Sequence, residues 1–502
     1  MNIPVVDLFC GIGSFSDGFC KGAPKTFYKA LGADRDPDAV HTARVRIFQN
    51  SITPIERCTW LYPIVNRRSL KLEVEGLSRF PKAASQFNKA TRTILQVELG
   101  TRLGNESLDR EIIKLGLRKR EWVLLGGPPC QAYSIAGRAR NLNKAGYRPH
   151  EDDRHYLYRE YLRVIRDNGP AAFIMENVKG VESAKLGGVK IIDLIMEDLS
   201  KLKCSNTKKG YELFSLTEEG LTPYNGSFVV NSKNFGVPQS RERVFIIGIR
   251  SDLTPKFEGS QKNAPKDRPD CRSALKGMPE IRSELSNRKA WKGQTWVEAV
   301  SAQTTGLIEN LGLELSDIAN WIEERNPAVN GGRLPSFSFD QPKYATTGKA
   351  KQFHAWIRKR DKGPLFNHFS KTHMPSDLAR YAFVSAWRNN RSKRLTTKDL
   401  PPELRPEHKN FSRGIFVDRF RSLSPEEASP TITGHIGMDG HAFIHWDTTF
   451  CRSLSIREAA RLQSIPDDFL ITGSSRQQGI QIGNAVPHRL ASYLGECISS
   501  LF

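Results

Sequence analysis

The residue best suited to covalent chemistry is Cys130, in the run WVLLGGPPCQAYS at 122–134. An apolar stretch ending in two glycines and two prolines predicts a strand followed by a rigid turn, which presents the next side chain at the carboxyl edge of a sheet. A thiol held there can meet substrate and, as a thiolate, attack it. The plain alternative for a cysteine is a small buried hydrophobe. The run FIMENV at 173–178 predicts a second strand ending at the same edge. It offers Glu176 as an acid or hydrogen-bond donor, although a strand-end Glu commonly serves as a cap or ion-pair partner. A third run, QSRER at 239–243, leads into RVFIIGIR and directs Arg241 and Arg243 toward one face of the entering strand. Arginines at such places otherwise serve solubility.

A second kind of chemistry, ligand cradling, is suggested by VVDLFCGIGS at 5–14. A strand running into a Gly-rich turn and then a helix lets a ligand approach the backbone, and the helix N-terminus favours electronegative groups. A lone Gly-x-Gly can equally be an ordinary tight turn. The next apolar strand delivers Asp34-Arg35-Asp36, where an acidic side chain can accept both ribose hydroxyls of a nucleoside cofactor. Asp36-Pro37-Asp38 also suits a plain helix N-cap.

These residues need a framework, and the patterning from Pro4 to about Arg250 supplies one. Short β-branched runs (VVDLF, WVLLGG, AAFIMEN, RVFIIGIR) alternate with helical patterns (DPDAVHTARVRIF, HYLYREYLRVI, VKIIDLIMEDLSKL). Such alternation predicts an α/β fold, a parallel Rossmann-like sheet with helices on both faces. Residues 1–250 are therefore read as a catalytic and cofactor-binding domain with a long basic insertion at about 49–120. From 251 to 410 the pattern dissolves into Pro, Gly, Ser and charge, which predicts a smaller irregular domain. Between 343 and 398 that segment carries fourteen Lys or Arg against only Asp361 and Asp377, a concentrated basic surface. After Phe411 helical patterning returns in SIREAARLQSI and NAVPHRLASYLGECISSLF, and 411–502 is expected to rejoin the first domain.

Composition narrows the partners. Seventy-five Lys plus Arg against 54 Asp plus Glu leave a formal charge of +21 over 502 residues, which favours a polyanion such as nucleic acid or an anionic membrane. Eight cysteines without a CxxC pair fit neither a disulfide scaffold nor a zinc module, and suggest a reducing, intracellular setting. The opening MNIPVVDLFCGIG lacks the basic and long apolar regions of a signal peptide, so a non-exported protein of the cytoplasm is expected. A metal site built from His368, His373 and Cys451 matches no tetrahedral spacing, and no metal is expected. NHFSKTHM at 367–374 is read instead as presenting polar side chains to a nucleic-acid partner.

Taken together and in order, these motifs resemble those of the DNA (cytosine-5) methyltransferases, which use S-adenosylmethionine. The resemblance extends to RSLSPEEASPTIT at 421–433, REAARLQ at 457–463 and QIGNAVP at 481–487. It implies that Phe9, Gly11, Gly13 and Pro128 line the donor pocket, that Asp34 holds the donor ribose, and that Asn484 closes the pocket. It implies that Cys130 is the nucleophile, that Glu176 and Arg243 hold the target cytosine, and that Arg241 is also a catalytic residue. DNA contacts are then expected from Gln131, Ser134, Arg138 and Arg140 of the catalytic loop, and from Arg358, Lys359 and Arg360 of a target-recognition domain at 251–410. The partner implied is double-stranded DNA, with a separately encoded restriction endonuclease as a companion. Two departures stand out: Ser14 where a third glycine is common, and Glu121 where Asp is usual. The stretch 49–120 also shows no clear acidic motif for the donor adenine. An RNA cytosine-5 methyltransferase of the same fold, or a non-catalytic DNA-binding relative, is the alternative. The tRNA-acting branch typically carries Cys-Phe-Thr, absent here, and retention of Cys130 and Glu176 argues for catalysis.

Overall fold

The computed structural model describes residues 2–502 apart from 67–69, 71, 130–156, 187, 255–256, 258–259, 288, 290–291 and 407–418. The chain divides into two compact units, Met1–Thr53 with Val74–Arg268 and Ala485–Phe502, and Pro54–Glu73 with Pro269–Asn484.

The first unit is built on one sheet. Strands β1 (Ile3–Leu8), β2 (Phe27–Asp34), β3 (Ile94–Gln96), β4 (Val123–Gly126) and β5 (Ala172–Val178) are parallel and ordered β3-β2-β1-β4-β5. The chain moves outward from β1 to β3 and returns on the other side of β1 with β4. That reversal opens a crevice at the carboxyl ends of β1 and β4, the usual ligand place in an open α/β sheet. Strands β6 (Tyr211–Thr217), β7 (Gly220–Pro223), β8 (Val229–Asn231), β9 (Glu242–Arg250) and β10 (Ser260–Gln261) extend the sheet beyond β5. Here the structure departs from the parallel sheet expected: β9 runs antiparallel to β5, β6 and β8. After β5 the chain passes through the helix Ile191–Ser200 to β6, and from there to β9 it runs through the short strands β7 and β8 in antiparallel pairings, so no helical crossover directly precedes β9 and turns it into the parallel direction.

Alternation along the central strands sends two apolar sets to opposite faces. Val6, Leu8, Leu124, Phe173 and Met175 pack with α4 (Arg102–Lys114), α5 (Leu157–Asn168) and α6 (Ile191–Ser200) through Leu108, Ile112, Tyr161, Ile165 and Ile195. Val5, Val123, Leu125, Ile174 and Ile247 pack with α1 (Ser14–Gly22) and the C-terminal α7 (His488–Ser499) through Phe15, Phe19, Leu490 and Leu494. α2 (Pro37–Ser51) and α3 (Pro81–Thr93) flank β2 and β3. Asp36 caps α2, its side chain accepting from the Asp38 and Ala39 amides.

The second unit contains the helices Trp296–Asn310, Ser316–Arg325 and Pro375–Asn390, sharing an apolar cluster that includes Leu307, Ile318, Ile322, Phe383 and Val384. Helices Ile456–Leu462 and Ser475–Asn484 belong to the same unit. Two segments follow a course other than the one read from sequence. The stretch 49–120 is not one insertion, because 54–73 joins the second unit while the rest supplies α3, β3 and α4 to the first. Buried bonds fix that excursion: Arg57 Nη1 lies 2.9 Å from Asp468 Oδ2, and the Tyr62 hydroxyl donates to Asp361 at 2.8 Å. Nor does the chain rejoin the sheet at 411, since only Ala485–Phe502 lies in the first unit. Among the described residues no helix is long and apolar enough to cross a membrane.

Candidate active site

The glycine turn after β1 adopts the left-handed backbone that its sequence invites. Phe9, Gly11 and Gly13 have φ of 57°, 52° and 75°. Glycine adopts such angles freely, whereas at Phe9 the same angle is a local strain of the kind that collects at functional sites. A side chain at Gly11 would enter open space, and one at Gly13 would meet the Lys29 ammonium. The turn is held from the next strand: Asp34 Oδ2 accepts from the Gly11 amide at 2.8 Å and Oδ1 from the Asp36 amide at 2.9 Å. Burial pushes the Asp34 carboxyl above the ordinary range, against the pull of those backbone donors. Beneath the turn Asp7 accepts from the Ser16 hydroxyl at 2.6 Å, fixing β1 to the first turn of α1.

Along the same edge, β4 ends in Gly126 and Gly127, and each glycine answers a close approach. A side chain on Gly126 would run into the Tyr161 ring, whose hydroxyl bridges the Leu124 and Ile174 carbonyls of β4 and β5. A Cβ on Gly127 would sit 3.2 Å from Glu176 Oε2. The carboxylate of β5 therefore lies against the turn that leads through buried Pro128 toward position 130. Glu176 is in turn paired with β9: Arg243 Nε lies 3.0 Å from Oε1, the two side chains being 14% and 15% exposed. Pairing of Arg243 with Val178 and of Phe245 with Glu176 in the β5–β9 ladder sets this contact. Arg241 is buried, and burial, followed by the neighbouring Arg243 charge, lowers its pKa well below the usual value, while Glu176 opposes that shift.

Thus Glu176 and Arg243, far apart in sequence, meet at one edge, and the glycine turn with Asp34 forms a second cluster at the end of β1 and β2. Cys130, Gln131, Ser134, Arg138 and Arg140 lie outside the described residues. Asn484 is the exposed last residue of its helix in the second unit, and the chain enters the first unit at the next residue. Glu121 pairs with Arg250 at 2.9 Å, so its longer side chain has a structural partner.

Several expectations for the second unit need correction. Lys359 is not on a DNA-facing surface. Its side chain is 1% exposed, 2.7 Å from Asp361, and lies over the Tyr62 ring. An ammonium so enclosed is a core charge that must be paired, not a phosphate contact. Arg358 and Arg360 on either side are exposed. Nor does NHFSKTHM present its first residues outward: Asn367 and His368 are fully buried, donating to or bonding with Ile471, Gln478, Ser455 and Pro279. His373 is buried beside Tyr381, and the Cys451 thiol donates to the Thr448 carbonyl, so these side chains serve separate partners. REAARLQ is likewise structural. Arg457 donates to the Phe366, Pro466 and Phe469 carbonyls, Arg461 pairs with Asp467 at 2.7 Å, and Glu458 closes a capping box with Ser455 while binding Arg452 at 2.6 Å.

Sequence reading gave no role to Ser14, Asp17 and His488. Ser14 was visible as a departure from pattern; the bond between Asp17 and His488 spans 471 residues and no local signal marks it.

A reversing parallel sheet with a glycine turn after β1 and an acidic residue ending β2 is the arrangement of S-adenosylmethionine-dependent methyltransferases, one shared with dinucleotide-binding sheets. A crystal structure of a DNA modification methyltransferase encoded within an Escherichia coli prophage shares it, with a TM-score of 0.55, 18% identity, and 99% of both chains covered. The family model of the C-5 cytosine-specific DNA methylases matches residues 109–500, and the chain belongs to that family. It is a DNA (cytosine-5-)-methyltransferase. A type II methyltransferase, M.Bpa9945I of Bacillus paralicheniformis, is 26% identical over 99% of this chain and 98% of its own. The DNA (cytosine-5-)-methyltransferase M.ApeKI of Aeropyrum pernix is 25% identical over 76% of this chain and 81% of its own.

Proposed function

We propose that this enzyme methylates carbon 5 of a cytosine flipped out of double-stranded DNA at a specific sequence, through a covalent adduct with Cys130. The carrying observation is the Glu176–Arg243 pair, set against Gly127 three residues before the thiol. Carbon 5 of cytosine is a poor nucleophile. Cys130 activates it by adding as a thiolate at carbon 6, which makes the ring enamine-like. Glu176, as the protonated acid, donates to ring nitrogen 3, and Arg243 donates to the carbonyl oxygen, both of which gain charge as the thiolate adds. Arg241 supports the pair from the interior. Once carbon 5 is methylated, a base, with a water molecule as the candidate, takes its proton, and the electron pair of that C–H bond re-forms the carbon 5–carbon 6 double bond as the Cys130 thiolate leaves. Carbon 6 is unreachable inside a duplex, so the base must leave the stack, at about a few kcal/mol.

The residues after β1 fit an S-adenosylmethionine site: Gly11 opens onto free space, and the Asp34 carboxylate already bonds the Gly11 amide. That donor, when bound, supplies an electrophilic methyl group. Phe9, Gly11, Gly13 and Pro128 would line its pocket, and Asp34 would take the ribose hydroxyls. The type II relatives support a place in a restriction-modification system of a prokaryotic cytoplasm, with a separately encoded endonuclease.

The test is methyl transfer from labelled donor to duplex DNA and, in parallel, to RNA, followed by sequencing of methylated cytosines in a host expressing the protein. Label in DNA at carbon 5 and at one recurring sequence is the expected result. Label only in RNA, or none, would overturn the reading.

A further inference from the structure

The glycine turn is braced by residues from the far end of the chain. Ser14, immediately after Gly13, donates its hydroxyl to the Val486 carbonyl at 2.8 Å. One helical turn on, Asp17 Oδ2 lies 2.7 Å from His488 Nε2. Asp17 is itself fixed from α2, accepting from Arg46 Nε at 3.0 Å and from the Asn50 amide at 2.7 Å. The two helices lie close enough that a side chain on Gly18 would strike the His488 carbonyl, one on Gly22 the Ser492 carbonyl, and one on Gly495 the Phe19 carbonyl. Residues 486–488 are thus stapled to the first turn of α1, the helix whose N-cap is Gly13.

Burial disfavours the charged forms of both Asp17 and His488. The Arg46 and His488 contacts nevertheless hold the Asp17 carboxyl well below its ordinary range, and His488 remains lowered. Asp17 is then the ionised acceptor and His488 a neutral donor through Nε2, a charge-assisted bond in a buried place. The departure at position 14 acquires a reason as well, since a glycine there would have no hydroxyl for Val486.

We propose that Ser14, Asp17 and His488 are positioning residues for the methyl-donor site: by stapling 486–488 to the first turn of α1 they hold the glycine turn in its donor-binding form. None of the three is required to touch a reacting atom. The inference rests on the donor reading given above. Its signature is loss of donor affinity with little loss of turnover at saturating donor.

The experiment is calorimetric binding of S-adenosylhomocysteine to the full-length protein without DNA, for the wild type, Ser14→Ala, Asp17→Asn, His488→Gln and the Asp17→Asn/His488→Gln pair, with thermal melts and steady-state kinetics alongside. Removing one end of a buried charge-assisted bond should weaken binding about tenfold for Asp17→Asn and for His488→Gln, and about threefold for Ser14→Ala, whose bond is neutral. The double variant should weaken it by clearly less than the product of the single effects, because both changes break one bond. kcat at saturating donor should stay within about twofold, the mark of a group that holds the site without acting in the transition state. Donor affinity unchanged in all variants, whatever the melting temperature does, would reduce the staple to a fold brace and overturn the proposal. If Asp17→Asn fails to fold, Ser14→Ala alone decides between the same outcomes. A wild type that binds neither donor nor product would instead overturn the donor reading itself.

Discussion

Three ion pairs, one at the sheet edge of the first unit and two inside the second, meet solvent differently. At the sheet edge of the first, Glu176 and Arg243 pair while each keeps about a seventh of its side-chain surface open to solvent. In the second, Arg452 with Glu458 and Arg461 with Asp467 are sealed, none more than 2% exposed. A sealed pair is fully desolvated, so its worth lies in completing a hydrogen-bonded interior, and breaking it strands a charge. A pair that still touches solvent can exchange partners with a substrate at less desolvation cost than a sealed one. The first pair stays within reach of solvent, and the other two complete a packed interior.

The largest effect expected of this contrast is on stability in the second unit. Glu458→Ala leaves Arg452 buried without its carboxylate and should cost about 3–5 kcal/mol, seen as a large drop in denaturation midpoint. The pH dependence follows from the same bond. Burial pushes the Glu458 carboxyl up, but Arg452 and its hydrogen bonds more than offset this and hold it well below the usual range. A carboxylate depressed in the folded state stabilises fully above its unfolded value of about 4.3 and loses that contribution as pH falls toward the folded value. The wild type should therefore lose stability below about pH 4.5, and Glu458→Ala should show a shallower acid limb in pH-dependent unfolding. An equally stable variant would break the comparison.

Next come effects at the open edge, which should appear in rate rather than in folding. Cys130→Ser should lower turnover more than about a hundredfold, some 2.7 kcal/mol of barrier or more, because an alkoxide is hard to generate at neutral pH. Methylation above a hundredth of the wild-type rate would refute the covalent role. Glu176→Gln keeps shape and one donor but cannot carry a proton, so kcat should fall about ten- to a hundredfold, with the melting point nearly unchanged. A fall in donor affinity parallel to rate would move Glu176 into the cofactor pocket.

The smallest effect distinguishes exposed from buried cations within one tripeptide. Each lost phosphate contact lowers the slope of log affinity against log salt by about 0.9. Arg358→Ala with Arg360→Ala should flatten the slope by up to about two contacts' worth, whereas Lys359→Ala should leave it unchanged and lower the melting point. Slopes unchanged from the wild type in both variants would place the DNA face elsewhere on the molecule.

Much of the first unit was legible in the sequence because its signals are local. GGPPC, FIMENV and the glycine turn each combine a strand period with turn chemistry within a dozen residues, and the structure has strands ending at Gly126, at Val178 and before Phe9. The antiparallel β9 was not legible, since direction depends on how the chain returns and not on its own pattern. Less of the second unit could be read. The fourteen-to-two charge ratio of 343–398 suggested one basic surface, yet Lys359 and Arg380 are buried in it against Asp361 and Asp377.

The sequence by itself determined the catalytic vocabulary, the order of motifs and the strand–turn–helix units that carry them, because periodicity and turn preference act over a few residues. Only the tertiary structure decided which charges face water and which are sealed, where the tail leaves one unit for the other, and what completes the glycine turn. Those outcomes hang on contacts such as Arg57 with Asp468 and Asp17 with His488, 411 and 471 residues apart. No local pattern encodes such a contact, since desolvation and pairing are properties of the packed interior and exist only once distant segments have met.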